Sequence, residues 1–152
     1  MHDDKTTSVT SIMTPPPHET ADRSDNVDTI IRTMTMKNKG SVIILNELKH
    51  PEGIITERDI VRRLVFESRD PKLTFVSEIM SSPLISLNDD AYIYDAAFVM
   101  TKYSVRRLPI IKDNVLLGIV TATDLARRLY EENRKDPCLQ AIARARYLEK
   151  TA

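Results

Sequence analysis

Two near-identical dodecamers constrain this chain more than any other feature: GIITERDIVRRL at residues 53–64 and GIVTATDLARRL at 118–129. The 152 residues include only three glycines, and two of them head these segments. The match extends outward. Val27, Ile30, Ile31 and Met34 align with Ile93, Ala96, Ala97 and Met100, and each set is spaced i, i+3, i+4, i+7, one apolar face of a helix. Further upstream, VTSIM (9–13) aligns with VSEIM (76–80). The offset drifts by one residue between segments, as short loop deletions produce. The chain is therefore an internal repeat of about 60 residues, and such a period must be read before any motif is.

Each unit has the same predicted order. A segment ending in Ile-Met leads into a Pro-containing stretch, TPPPHET (14–20) or SSPLISL (81–87). The second of these suits a short strand, and three prolines make the first at best an edge strand. A helix follows over 25–38 and 89–102, with Gly40 placed as the C′ residue of the first. SVIIL (41–45) and LPII (108–111) read as buried strands, each pairing as a hairpin with the GII or GIV strand. That strand runs straight into a second helix, 57–67 or 122–132. In the first unit its apolar face comprises Ile60, Val61, Leu64 and Val65, with Arg62 and Arg63 outside. The predicted fold is α+β: two β-α-β-β-α units, each too small to bury much core alone, packed together. The boundaries are a tail over 1–7, repeats over 8–70 and 71–132, and a C-terminal extension over 133–152. The extension, DPCLQAIARARYLEKTA from 136, reads as a further helix, mildly basic through Arg134, Arg144 and Arg146. It is expected to pack on its own module or a second copy, or to dock a regulated partner or nucleic acid.

The ends of the dodecamers carry the chemistry. Thr56-x-x-Asp59 and Thr121-x-x-Asp124 stand where a strand becomes a helix. In one reading they are capping boxes, with Thr satisfying an orphan helix amide and Asp favoured in the first turn. In the other, the helix N-terminus and hydroxyl form an anion site, and the carboxylate, an acceptor only, suits a vicinal diol. Together these features suggest a phosphorylated ribose. Cations must then offset the Asp. Arg58 lies inside the first dodecamer, and Arg106 and Arg107 precede a strand of the second unit. Guanidinium forks match phosphate geometry.

Composition narrows the class. Twenty-two basic residues balance 22 acidic ones, against the basic excess of a dedicated nucleic-acid binder. No apolar run approaches a membrane span, and the first ten residues lack a signal peptide's basic and apolar regions. The single cysteine, Cys138, allows no internal disulfide. A cytoplasmic location is expected. His2, His18 and His50 share no ligand spacing and read as surface residues, and neither phosphate-loop glycine motif occurs. Without a positioned nucleophile, base or metal set, the chain is expected to be a binding module rather than an enzyme.

The duplicated V-x-x-I-M opening, the RRLPII run (106–111) and the paired G-h-h-T-x-x-D endings (h, apolar) resemble a tandem pair of CBS domains, a Bateman module, over residues 8–132. The resemblance implies a pseudo-twofold pair with two clefts for adenosine ligands such as AMP, ADP or ATP. It implies that Asp124 and Asp59 hold ribose hydroxyls and that Thr121 and Thr56 lie near ribose or phosphate. Thr123 and Arg58 become phosphate contacts, as do Arg106 and Arg107. Adenine would rest against Ile12 and the backbone near Gly40 in one cleft, and near Ile79 and Val105 in the other, with Ile119 and Ile54 beside the respective corners. Gly40 and Ser41 replace the basic pair in the first unit. The clefts are therefore expected to be unequal, the Asp124 cleft ranking first and Arg58 partly compensating at Asp59. No bound cofactor or metal is expected. A homodimer sensing an adenine nucleotide and signalling to a protein partner is the leading expectation. The alternatives are S-adenosylmethionine, a dinucleotide or RNA in the same cleft, or a ligand-free assembly scaffold.

Overall fold

A computed structural model describes residues 7–133. The C-terminal helix expected over 133–152, together with Cys138 and His2, lies outside the described residues except for position 133, the last of α5. The order is β1 (Thr20–Asp22), α1 (Val27–Met36), β2 (Ser41–Leu45), β3 (Pro51–Thr56), α2 (Glu57–Asp59), α3 (Val76–Ile79), α4 (Ile93–Tyr103), β4 (Arg107–Lys112), β5 (Val115–Thr121) and α5 (Ala122–Asn133). A 3-10 turn over Val9–Ser11 opens the described chain, and α2 continues as a π-helical stretch, Ile60–Val65.

The two units repeat their registers. In the antiparallel pair β2–β3, Ser41 faces Thr56 and Ile44 faces Gly53. In β4–β5, Arg107 faces Thr121 and Ile110 faces Gly118, and both ladders shift after that glycine pair. The β4–β5 hairpin turns on Asp113 and Asn114, at φ 48° and 63°, the two positive φ values that a type I′ two-residue loop demands. The Pro-containing stretches differ from the expectation in the second unit, where the short strand is not formed. Thr20–Asp22, after the prolines, pairs parallel with β2 as an edge strand, whereas the second unit keeps a single bridge, Leu87 to Ile110. The prolines lie before the ladder, so the donors that it needs are intact.

Two other expectations are corrected. Gly40 is not the C′ residue of α1, because Asn38, at φ 50°, takes the left-handed position two residues earlier. Val61 and Val65 do not join the core face of the second helix, and both are mostly exposed. The i→i+5 winding of Ile60–Val65 rotates them outward and leaves Leu64 buried.

Each core is assembled from both halves of the sequence. Val27, Ile30, Met34, Val42, Ile44, Ile55 and Leu64 pack with Val76 and Ile79 of the second opening segment. Ala96, Met100, Leu108, Ile110 and Val120 pack with Val9, and Ile12 and Met13 lie against them. Each opening segment thus covers the other unit's core. Its path explains the two glycines. A Cβ on Gly53 would stand 2.8 Å from Met80 Sδ and 3.1 Å from the Ser81 carbonyl oxygen. One on Gly118 would stand 2.8 Å from the Thr14 carbonyl oxygen and closer still to Met13 Sδ. The glycines serve close approach of a crossing chain. Ile43 is fully buried but outside both clusters, so the face of β2 turned away from α1 is covered as well.

Candidate functional site

Both Thr-x-x-Asp corners form complete capping boxes. Thr121 donates to Asp124 Oδ2 from its amide at 2.8 Å and from its hydroxyl at 2.6 Å, and the Asp124 amide donates back to Thr121 Oγ1 at 3.2 Å. At Thr56 and Asp59 the corresponding distances are 2.8, 2.8 and 3.4 Å. One oxygen of each carboxylate and most of each hydroxyl's bonding capacity are therefore committed to the cap. The corners differ in the remaining oxygen. Asp59 Oδ1 accepts from the Ser81 hydroxyl at 2.8 Å, with Arg63 Nη1 at 3.5 Å. Asp124 Oδ1 has only Arg127 Nη1, at 3.5 Å, as partner among the described residues.

Asp124 stands on the wall of a cleft of about 520 Å³. Ser8, Ser11 and Ile12 of the opening segment line it together with Arg127, Arg128 and Glu131 of α5. The described lining is charge-balanced: Asp124 and Glu131 against the two arginines. Arg128 is also drawn to Glu132 at 2.7 Å.

The structure brings Asp124 and Ile12 together in this cleft, and Thr121 and Ile119 stand beside it: Thr121 in the cap, Ile119 in a two-way backbone bridge to Thr14 at 2.9 and 3.1 Å. Thr123 is exposed one residue before Asp124. Arg106 and Arg107 are not among the lining residues. Arg106 is exposed, its carbonyl accepting from the Ala122 amide at 2.9 Å. Arg107 lays its guanidinium over Gly40, near Glu57, where any Cβ at position 40 would collide with it. Arg107 and Gly40 thus meet across the two units, away from the cleft lining. At the other corner, Arg58 is exposed, Ile54 bridges Ser81, and Ile79 is fully buried in the first core cluster. Val105 packs against the second cluster.

Sequence reasoning missed Ser81, Arg63 and Arg127. Ser81 carried a legible signal, since it follows the second Ile-Met as Thr14 follows the first. His18 lies at the surface but is half-buried, with Nε2 3.0 Å from the Thr14 carbonyl. Its pKa is lowered, chiefly by burial, with the Thr14 carbonyl opposing and Lys39 adding to the effect. Among the described residues no group of three or more His, Cys, Asp or Glu side chains is placed to hold a metal, and no helix is long and apolar enough to cross a membrane.

Comparison with known proteins agrees with this architecture. The CBS domain family model matches residues 9–66 and 76–131. The uncharacterized protein MK0525 of Methanopyrus kandleri is 44% identical over 87 residues, 57% of this chain and 44% of that protein. The mitochondrial CBS domain-containing protein CBSX3 of Arabidopsis thaliana is 32% identical over 116 residues, 74% of this chain and 56% of that one. This chain thus spans about half the length of both relatives. The CBS domain-containing protein YhcV of Bacillus subtilis is 36% identical over 124 residues, covering 80% of this chain and 81% of that one. Among solved structures, a hexameric CBS-CP12 protein from bloom-forming cyanobacteria superimposes with a TM-score of 0.74 at 27% identity, over 93% of this chain and 83% of that one. Hypoxic Response Protein I, solved with two coordinated zinc ions, gives 0.70 at 26% identity, over 80% and 98%. With two matched copies, exchanged opening segments and paired Thr-x-x-Asp corners, this chain belongs to the CBS-domain family, as a tandem pair.

Proposed function

We propose that this CBS pair is a regulatory module that senses an adenine nucleotide such as AMP or ATP in the Asp124 cleft. One observation carries the reading. Asp124 spends one oxygen on its helix cap, while the other, held among the described residues only by Arg127 at 3.5 Å, belongs to a residue lining a cleft of about 520 Å³ that joins the two halves of the sequence. A ribose diol would replace that long contact with short hydrogen bonds, and the displaced Arg127 would be free to meet a phosphate. Ile12 offers an apolar surface for a base. The opening segment and α5 both line the cleft, so a ligand bridging them changes the relative stability of the arrangements the pair can adopt. It can shift that equilibrium only by its difference in affinity between them. A partner that prefers one arrangement is then regulated, without catalysis.

Pairing of two copies is part of the same proposal. Helix α4 exposes Tyr94 and Phe98 one turn apart, a face suited to a second copy, and analytical ultracentrifugation of the full chain tests it. Calorimetry with AMP, ADP, ATP, NADH and S-adenosylmethionine, on wild type and on Asp124→Ala, tests the ligand. Binding that disappears in Asp124→Ala supports the reading, and silence across the panel favours a scaffold. The balanced charges of the described lining favour S-adenosylmethionine as a second reading, since a zwitterion meets both signs. Arg127→Gln separates the two, weakening a phosphorylated ligand more than a sulfonium one.

A further inference from the structure

We infer that the Asp59 corner is filled by the protein's own hydroxyl, that of Ser81, so that the chain takes one diol-bearing ligand, at Asp124. The inference rests on the nucleotide reading above and names what makes the corners unequal. Their caps are alike, so the helix ends do not distinguish them. The free oxygens do. Ser81 Oγ donates to Asp59 Oδ1 at 2.8 Å, the bond a sugar hydroxyl would otherwise supply. Ser81 is held there twice over. Its backbone exchanges hydrogen bonds with Ile54 at 2.9 and 3.1 Å. Arg63 Nη1 donates to the carbonyls of Ile79 and Met80 at 2.9 and 2.8 Å while standing 3.5 Å from Asp59 Oδ1. One guanidinium thus fastens the segment carrying Ser81 to the carboxylate that Ser81 fills, and Asp59 is left 7% exposed.

The Asp124 corner has the same parts in other positions. Thr14 occupies the place of Ser81 and makes the same bridge, to Ile119, but no hydrogen bond joins its hydroxyl to Asp124 among the described residues. Arg128 occupies the place of Arg63 in the dodecamer but pairs with Glu132, and among the described residues no hydrogen bond joins it to the opening segment's carbonyls. The winding of the helices contributes. The π-helical stretch after Asp59 carries the residue four positions on over the carboxylate, whereas in α5 the residue three positions on lies there. A diol arriving at Asp124 displaces a 3.5 Å ion pair, and one arriving at Asp59 must break a 2.8 Å hydrogen bond and a pinned segment.

The test is calorimetric stoichiometry with AMP and ATP on the full chain. Wild type is expected to take one nucleotide per chain, with Asp124→Asn abolishing binding and Asp59→Asn leaving stoichiometry unchanged and affinity within about threefold. Ser81→Ala is expected to add a second binding event, which Ser81→Ala/Asp59→Asn removes. Two events in wild type, one of them lost in Asp59→Asn, would overturn the self-filled corner, as would a Ser81→Ala chain that still takes one. The Asp59→Asn arm stands even if Ser81→Ala folds poorly. Silence of wild type toward every nucleotide tried would overturn the nucleotide reading and this inference together, so the two failures are distinct.

Discussion

The amide of Val9 donates to the carbonyl of Ala91 at 3.0 Å, and the amide of Val76 donates to the carbonyl of Asp25 at 2.8 Å. These mirrored bonds tie each opening segment to the helix entry of the other unit. Each then drops a valine, Val9 or Val76, fully buried, into the core beyond.

Val9→Ala is therefore expected to loosen the second unit, although Val9 lies at the start of the first in sequence. Losing two methyl-sized groups from a closed core costs about 2 kcal/mol. Hydrogen exchange should show the larger loss of protection in β4 and β5, with β2 and β3 less affected. The opposite distribution would contradict the exchange of segments.

Gly118→Ala should destabilise the chain more than Gly53→Ala. At Gly118 the new Cβ meets the Thr14 carbonyl oxygen at 2.8 Å, a backbone atom that cannot swing aside. At Gly53 the nearest atom is Met80 Sδ, the far part of a flexible side chain, and the backbone oxygen stands at 3.1 Å. Overpacking of this kind costs about 1–3 kcal/mol, with Gly118→Ala toward the upper end. Urea denaturation of the two variants gives the order.

Thr121→Val removes the hydroxyl that both donates to Asp124 and accepts from its amide, at a cost of about 1 kcal/mol of stability. Thr56→Val should cost more, about 2 kcal/mol, because Asp59 is buried and a lost partner there is not replaced by water. Equal losses, read as midpoints in denaturant, would mean that the two carboxylates are equally solvated.

His18 should make stability fall with acid. Its folded pKa lies below the ordinary 6.5, mainly through burial, so the folded chain binds its proton less readily than the unfolded chain does. The contribution is fully present above pH 6.5 and is lost as pH falls through the folded value. His18→Gln should flatten that part of the stability–pH curve and leave the alkaline side unchanged. An unaltered curve would show that His18 is solvated.

The repeat and its periodicities were legible because they are local. The apolar run SVIIL, the i, i+3, i+4, i+7 face of α1 and the Gly-h-h-Thr-x-x-Asp spacing are set within a dozen residues, and the strand pairing and helix caps follow them. Which core each opening segment covers was not legible. VTSIM and VSEIM are near-equal in apolar content, so either satisfies either core locally, and only the packing of the two units selects the exchanged arrangement. The same limit holds at the corners. Asp59 and Asp124 sit in matching motifs, yet one free oxygen is met by Ser81 and the other faces a cleft, because the deciding partners arrive from distant sequence. The sequence by itself determined two capped carboxylates at the ends of two hairpins. The tertiary structure decided which of them was left with an acceptor to offer, because a hydrogen bond between residues far apart in the chain exists only once their units have packed.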